Sequence, residues 1–236
     1  MLFIHDTEHV FKHPEDSTKF YAVFSTSSNG LTGSAICTFN LDDIQETFSG
    51  KFKEQATSSS AWLPVLTSKV PAGPRPGVCV NDTTSLPDSV LNFIRVHPLM
   101  DSSVPSDGGR PVFFKRDIVF TKIAVDYHTV SGVKYTTYFA GTNTGMIYKV
   151  VQWFDDRRDE VVSNLVDVFE ATVPEAVRAI EVSSRHKSLY VASDSVIRQF
   201  DLLSCKSRHE TCVRCTRDPY CGWDRSHGDC KPYSVG

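Results

Sequence analysis

Tyr138-Phe139-Ala140-Gly141-Thr142-Asn143-Thr144-Gly145-Met146-Ile147-Tyr148-Lys149-Val150-Val151 reads as apolar strand, tight turn, apolar strand, the pattern of an antiparallel hairpin. A similar unit follows about 50 residues later. There Leu189-Tyr190-Val191-Ala192-Ser193 is followed by Asp194-Ser195 and the run Val196 to Phe200. Around the first hairpin, Phe120 to Val125 and Leu165 to Phe169 complete a set of four strands, with the turn at Gly141-Thr142-Asn143-Thr144-Gly145. Ala179 to Val182 joins the second hairpin. Four-stranded units repeated at such a period are the signature of propeller blades, each burying its faces only against its neighbours. The expected fold class is all-β, a partial β-propeller, because two or three blades cannot close a ring.

Upstream, Lys19 to Thr26 is aromatic and β-branched, and Ser27-Ser28-Asn29-Gly30 is a turn signal. Ala35, Cys37, Phe39 and Leu41 alternate with polar neighbours, the period of a half-buried strand, so the two runs are expected to pair. The proline-rich Val70 to Cys79 is expected to be irregular, since each proline removes a backbone donor. One helix is expected, opened by Pro87-Asp88, carrying the stripe Val90, Leu91 and Ile94, and stopped at His97-Pro98.

Five of the seven cysteines, Cys205, Cys212, Cys215, Cys221 and Cys230, crowd around Asp218-Pro219-Tyr220-Cys221-Gly222-Trp223-Asp224. A segment this short and poor in aliphatic residues depends on cross-links for stability, which implies an oxidising compartment. Trp223 is expected to plug its small core. Cys212-Val213-Arg214-Cys215 with nearby His209 also admits a redox or zinc module. Neither fits well, because a thiol–disulfide site opens a helix in a βαβ frame and a zinc site needs reduced thiolates. Cys37 and Cys79 could bridge each other.

The net charge of -3 and scattered basic residues offer no field for nucleic acid. No apolar run approaches the about 18–20 residues of a membrane span. Met1-Leu2-Phe3-Ile4 runs straight into His5-Asp6-Thr7-Glu8-His9, unlike a signal peptide, so the natural start is expected upstream. An odd cysteine count predicts a partner outside the chain. Asn81-Asp82-Thr83 is an acceptor sequon in a loop expected to face water, making Asn81 a candidate glycosylation site. Asp155-Asp156-Arg157-Arg158-Asp159-Glu160 mixes signs in a turn and is read as solvated. No nucleophile elbow, phosphate loop or His-Glu-x-x-His stretch is present, so an enzyme is not expected and no cofactor is implied.

The tail resembles the PSI module shared by plexins, semaphorins and integrins, and the body resembles the second half of a semaphorin's sema domain. The resemblance is carried in order by Gly33-Ser34-Ala35-Ile36-Cys37, Leu41-Asp42-Asp43-Ile44, Trp62-Leu63-Pro64, Pro74-Arg75-Pro76-Gly77, Leu86-Pro87-Asp88 and His97-Pro98-Leu99-Met100. Phe120-Thr121-Lys122-Ile123-Ala124-Val125-Asp126 and Ala140 to Gly145 continue it. Within the family, Met146 to Gln152 and the tail are most similar to secreted invertebrate-type semaphorins.

The resemblance implies that residues 1–203 hold about blades five to seven of a seven-bladed sema propeller and residues 204–236 a truncated PSI module. It implies that Cys205 pairs with Cys221 and Cys215 with Cys230, while Cys37, Cys79 and Cys212 have partners outside the chain. It further implies a secreted, extracellular guidance ligand that binds a plexin-type receptor, acts in axon guidance and cell migration, and forms a homodimer in the full-length protein. His97, Leu99 and Met100 are candidate dimer contacts; the plainer reading is a helix stop with Leu99 and Met100 packed between blades. A plexin-type or Met-type receptor ectodomain is the alternative.

Overall fold

The computed structural model describes residues 6–26 and 32–233, the side chain of Asp6 excepted. The turn read at Ser27-Ser28-Asn29-Gly30 and the opening Met1-Leu2-Phe3-Ile4 lie outside them. The chain divides into two compact units, one of Met1–Thr38 with Asp107–Gly236, the other of Phe39–Ser106.

In the first unit, β1 (Asp6–Lys12), β2 (Lys19–Ser25) and β3 (Gly33–Asn40) form a sheet. Its fourth strand arrives only after the second unit. That unit holds α1 (Leu41–Ser49), the short pair β4 (Lys53–Glu54) and β5 (Leu63–Pro64), and α2 (Asp88–Val96). The chain then returns as β6 (Phe113–Arg116), which pairs antiparallel with β3, Gly33 opposite Arg116. Strands β1 and β6 were not legible in the sequence, and α1 corrects the reading of Leu41 as the end of a strand. Asn40 has extended backbone and accepts from the Asp42 amide, while Asp42 and Asp43 place negative charge on the helix's first turn. Both features start a helix.

The second sheet is an antiparallel meander of β7 (Phe120–Val130), β8 (Val133–Thr142), β9 (Met146–Asp155) and β10 (Glu160–Glu170). The third contains β11 (Ala179–Ser183), β12 (Ser188–Ala192) and β13 (Ile197–Asp201). The second sheet is buried on both faces. Ile123, Val125, Tyr138, Ala140 and Val150 join Tyr21, Val23 and Ile36 of the first sheet in one core. Their sequence neighbours Ala124, Phe139 and Ile147 join Ile180, Leu189 and Val191 of the third sheet in another. Alternating residues that serve two cores read as continuous apolar runs, and this face-to-face stacking is how propeller blades bury their sheets.

The segment leaving β10 packs so closely on the β8–β9 turn that it leaves no room there for a side chain. Gly145 has φ of +83°, and a Cβ there would meet the Val173 nitrogen at 2.4 Å. Its carbonyl accepts from the amides of both Ala171 and Thr172, each at 2.9 Å.

The tail follows as α3 (Cys205–Arg208), α4 (Cys212–Cys215) and the hairpin of β14 (Cys221–Asp224) with β15 (Asp229–Pro232). Cys205, Cys215, Cys221 and Cys230 share a core with the second and third sheets, and Trp223 packs against that core half-buried.

The second unit has its own small core of Phe52, Val65 and Phe93, with Val70 and Met100 against it. Arg75 covers the Phe52 ring at 4.9 Å and donates to the Phe48 carbonyl at 3.0 Å, closing the end of α1.

Candidate functional site

A cluster of buried charged and titratable groups lies where the C-terminal module meets the second sheet. Along β9, Ile147, Lys149 and Val151 point to the same side, and all three are buried. The lysine therefore enters a face that alternation reserves for apolar residues. It is met there by Asp218 of the module, with Nζ donating to the two carboxylate oxygens at 2.7 and 2.6 Å. Asp218 also contacts His209 Nε2 at 2.8 Å and accepts from the Tyr220 amide at 3.1 Å. The Lys149 ammonium lies 4.4 Å from the Tyr220 ring centroid.

Burial alone would push the Asp218 carboxyl up. The Lys149 charge and the hydrogen bonds from His209, Lys149 and the Tyr220 amide outweigh it and hold the group at about 2. Burial pushes Lys149 down, with Asp218 pulling against it.

A second set sits beside the first. The buried Asp126 carboxylate on β7 accepts from the hydroxyls of Tyr220 and Ser184. His128, two residues along the same face, lies 4.4 Å from the Tyr220 ring. Nearer the surface, Arg208 stacks on Phe169 at 4.0 Å and donates to Asp167 at 3.0 Å. Ser131, in the β7–β8 turn, bonds the Tyr233 hydroxyl at 2.8 Å.

Sequence reasoning assigned no role to Lys149, Asp126, His128 or Asp218. A signal was available for Lys149, whose neighbours two residues away, Ile147 and Val151, are both apolar. His209, weighed as a zinc ligand, is committed to Asp218.

Cys205 is bridged to Cys221 and Cys215 to Cys230. Cys37, Cys79 and Cys212 are free thiols. With its sulfur bound to Cys230, Cys215 does not form a dithiol pair with Cys212. Cys37 is buried on β3, and burial pushes its thiol up to about 11, which suppresses the reactive thiolate. Cys79 and Cys212 are exposed.

Asn81 is exposed, one residue before Asp82, whose side chain caps the turn at Thr84. The His97 ring stacks on Phe93 at 4.0 Å. Around it the backbone is pinned by Lys53 N to Leu99 O at 2.8 Å and Asp101 N to Lys51 O at 2.7 Å. Met100 packs on the second unit's own core rather than in a core shared between blades, and Leu99 is 45% exposed.

A cleft of about 1290 Å³ opens between the first two sheets, lined by residues including His13, Tyr21, Tyr127 and Trp153. Several of its charges are already paired, Lys19 with Asp107 at 2.9 Å and Arg158 with Asp155 at 3.6 Å.

Stacked antiparallel sheets with a cystine-rich module packed against them define a propeller-type class. The Sema domain family model matches residues 4–184. Semaphorin-2A of Schistocerca gregaria is 57% identical over the whole of this chain, which spans 34% of that protein. Semaphorin-2A of Drosophila melanogaster is 50% identical over 99% of this chain and 32% of its own length. The chain belongs to the semaphorin family, and it spans about a third of the curated relatives it matches.

Among solved structures, Drosophila Semaphorin 2a superposes with a TM-score of 0.86 and 50% identity, covering 98% of this chain and 37% of that one. A structure of Drosophila Plexin A in complex with Semaphorin 1b matches with a TM-score of 0.81 and 33% identity, over 99% of this chain and 48% of that one. The stacked sheets are thus part of a sema propeller. No helix among the described residues is long and apolar enough to cross a membrane.

Proposed function

We propose that this chain is part of a secreted semaphorin ligand that binds a plexin-type receptor outside the cell and guides axons and migrating cells. The observation that carries the reading is 57% identity over the entire chain to a Semaphorin-2A. Similarity to the structure of Plexin A in complex with Semaphorin 1b supports the choice of receptor class. Two disulfides in the tail support an oxidising, extracellular setting.

The proposed mechanism is bivalent recognition. A dimeric rigid propeller draws two receptors together, so geometry and avidity carry the signal rather than catalysis. Leu99, exposed beside His97 and Met100, is the proposed dimer contact, and Asn81 the proposed glycan site. The main receptor-facing surface is proposed to lie in blades upstream of this chain.

Surface plasmon resonance between the full-length parent protein and immobilised plexin ectodomains tests the reading. Saturable binding is expected, and absence of binding to every plexin of the same organism overturns it. Binding retained by this chain alone would contradict the upstream receptor surface.

A further inference from the structure

Among the described residues, the hydrogen bonds across the seam between the C-terminal module and the second sheet run through side chains. They are Lys149 to Asp218, Tyr220 to Asp126, Arg208 to Asp167 and Ser131 to Tyr233. Each side of the seam is held more firmly within itself. The module has two disulfides, and β7 fixes His128 in a ladder opposite Tyr135.

His128 lies at this seam with its ring against Tyr220 of the module and stacked toward Tyr135 at 6.1 Å. Among the described residues, neither of its buried ring nitrogens has a hydrogen-bond partner. Asp126 Oδ2 is 4.0 Å from Nδ1, and that carboxylate already accepts from Tyr220 and Ser184. The other charged or titratable groups that face the ring are Lys149 on β9, Lys187 in the turn before β12, and Asp218, His209 and Tyr220 of the module.

We infer that this seam is an acid-sensitive latch, in which a proton on His128 loosens the module from the second sheet while each remains folded. An imidazolium carries two N–H donors, and here both would be buried without an acceptor, facing two lysines. Lifting Tyr220 away hydrates the ring; no ladder or disulfide has to break. Opening at the seam is therefore the cheapest relief.

The sign follows from burial. In the closed seam burial holds His128 at about 4, with Lys187 and Lys149 adding to the effect and Asp126 opposing it, against an ordinary 6.5. Between those values the open state binds more protons, so opening grows as pH falls. From pH 7.5 to pH 5 the open population should rise about 30-fold.

Hydroxyl-radical footprinting of the full chain at pH 7.5 and 5.0 tests this. Tyr220, buried in the closed seam, should gain reactivity about 30-fold relative to Tyr138, which is buried between the first two sheets. His128→Phe, which keeps an aromatic ring on Tyr220, should abolish the response. Lys187→Asn removes a charge that lowers the closed-state value and should therefore shrink the response, and asparagine tolerates the positive φ of 48° at that position. No seam-specific response, an unchanged one in His128→Phe, or one lost instead in His209→Gln overturns the proposal. If His128→Phe fails to fold, an NMR titration of the His128 ring decides: a midpoint near 4 supports the latch, and one at 6.5 or above overturns it.

Discussion

Replacing Asp218 by asparagine should strip Lys149 of its countercharge while leaving the ammonium buried. At 2.6 Å and an effective dielectric of about 20, the attraction is about 6 kcal/mol. Desolvating each ion costs several kcal/mol in return, so the pair itself is near balance. Removing one partner is not balanced, because the lysine keeps its desolvation penalty and loses its compensation. The expected destabilisation is about 3–5 kcal/mol. Lys149→Met combined with Asp218→Asn should recover much of it, since no buried charge then remains.

Urea unfolding followed by Trp223 fluorescence measures the single and double variants, with unchanged slopes showing that midpoints report stability. An Asp218→Asn loss below about 1 kcal/mol, or a double variant no better than the single, would refute the claim that the pair is buried and coupled. The same carboxyl gives an acid signature. Its folded value of about 2 lies below the ordinary 3.8, so its contribution is complete above 3.8 and is lost as pH falls toward 2.

Gly145→Ala should lower stability by at least about 2 kcal/mol, because positive φ and the Val173 amide both oppose a Cβ; thermal unfolding is the check. Cys205→Ser opens a loop of 16 residues and should cost about 3 kcal/mol by chain entropy. Denaturant titration of that variant reads the loss. Mass spectrometry of the protein secreted from insect cells should find a glycan on Asn81, and Asn81→Gln should remove it. Leu99→Asp should shift the full-length protein toward monomer in analytical ultracentrifugation, with the monomer's own stability unchanged.

The second and third sheets were legible because their strands are apolar and their turns are punctuated by glycine or serine. The first sheet was only half legible. β1, Asp6–Lys12, is largely polar, and β6, Phe113–Arg116, is short and pairs with a strand far away in sequence. At Asn40-Leu41-Asp42-Asp43 the alternation seemed to continue through Leu41, although a capping asparagine and two acidic residues favoured a helix. The seam was hidden for a different reason. Two aspartates and a histidine in strands and turns read as surface, because contacts between distant segments leave no local pattern, and only Lys149, with Ile147 and Val151 two residues to either side, carries one.

The return of β6 to β3 after residues 41–112 also bears on how the molecule assembles. Closing a loop of about 70 residues costs about 2 kcal/mol more entropy than closing a five-residue hairpin. That edge strand should therefore dock late, after the β7–β10 meander has formed from near neighbours. An insert that first gathers around Phe52, Val65 and Phe93 shortens the effective search. The small core of the inserted unit thus sets the pace at which the first blade is completed.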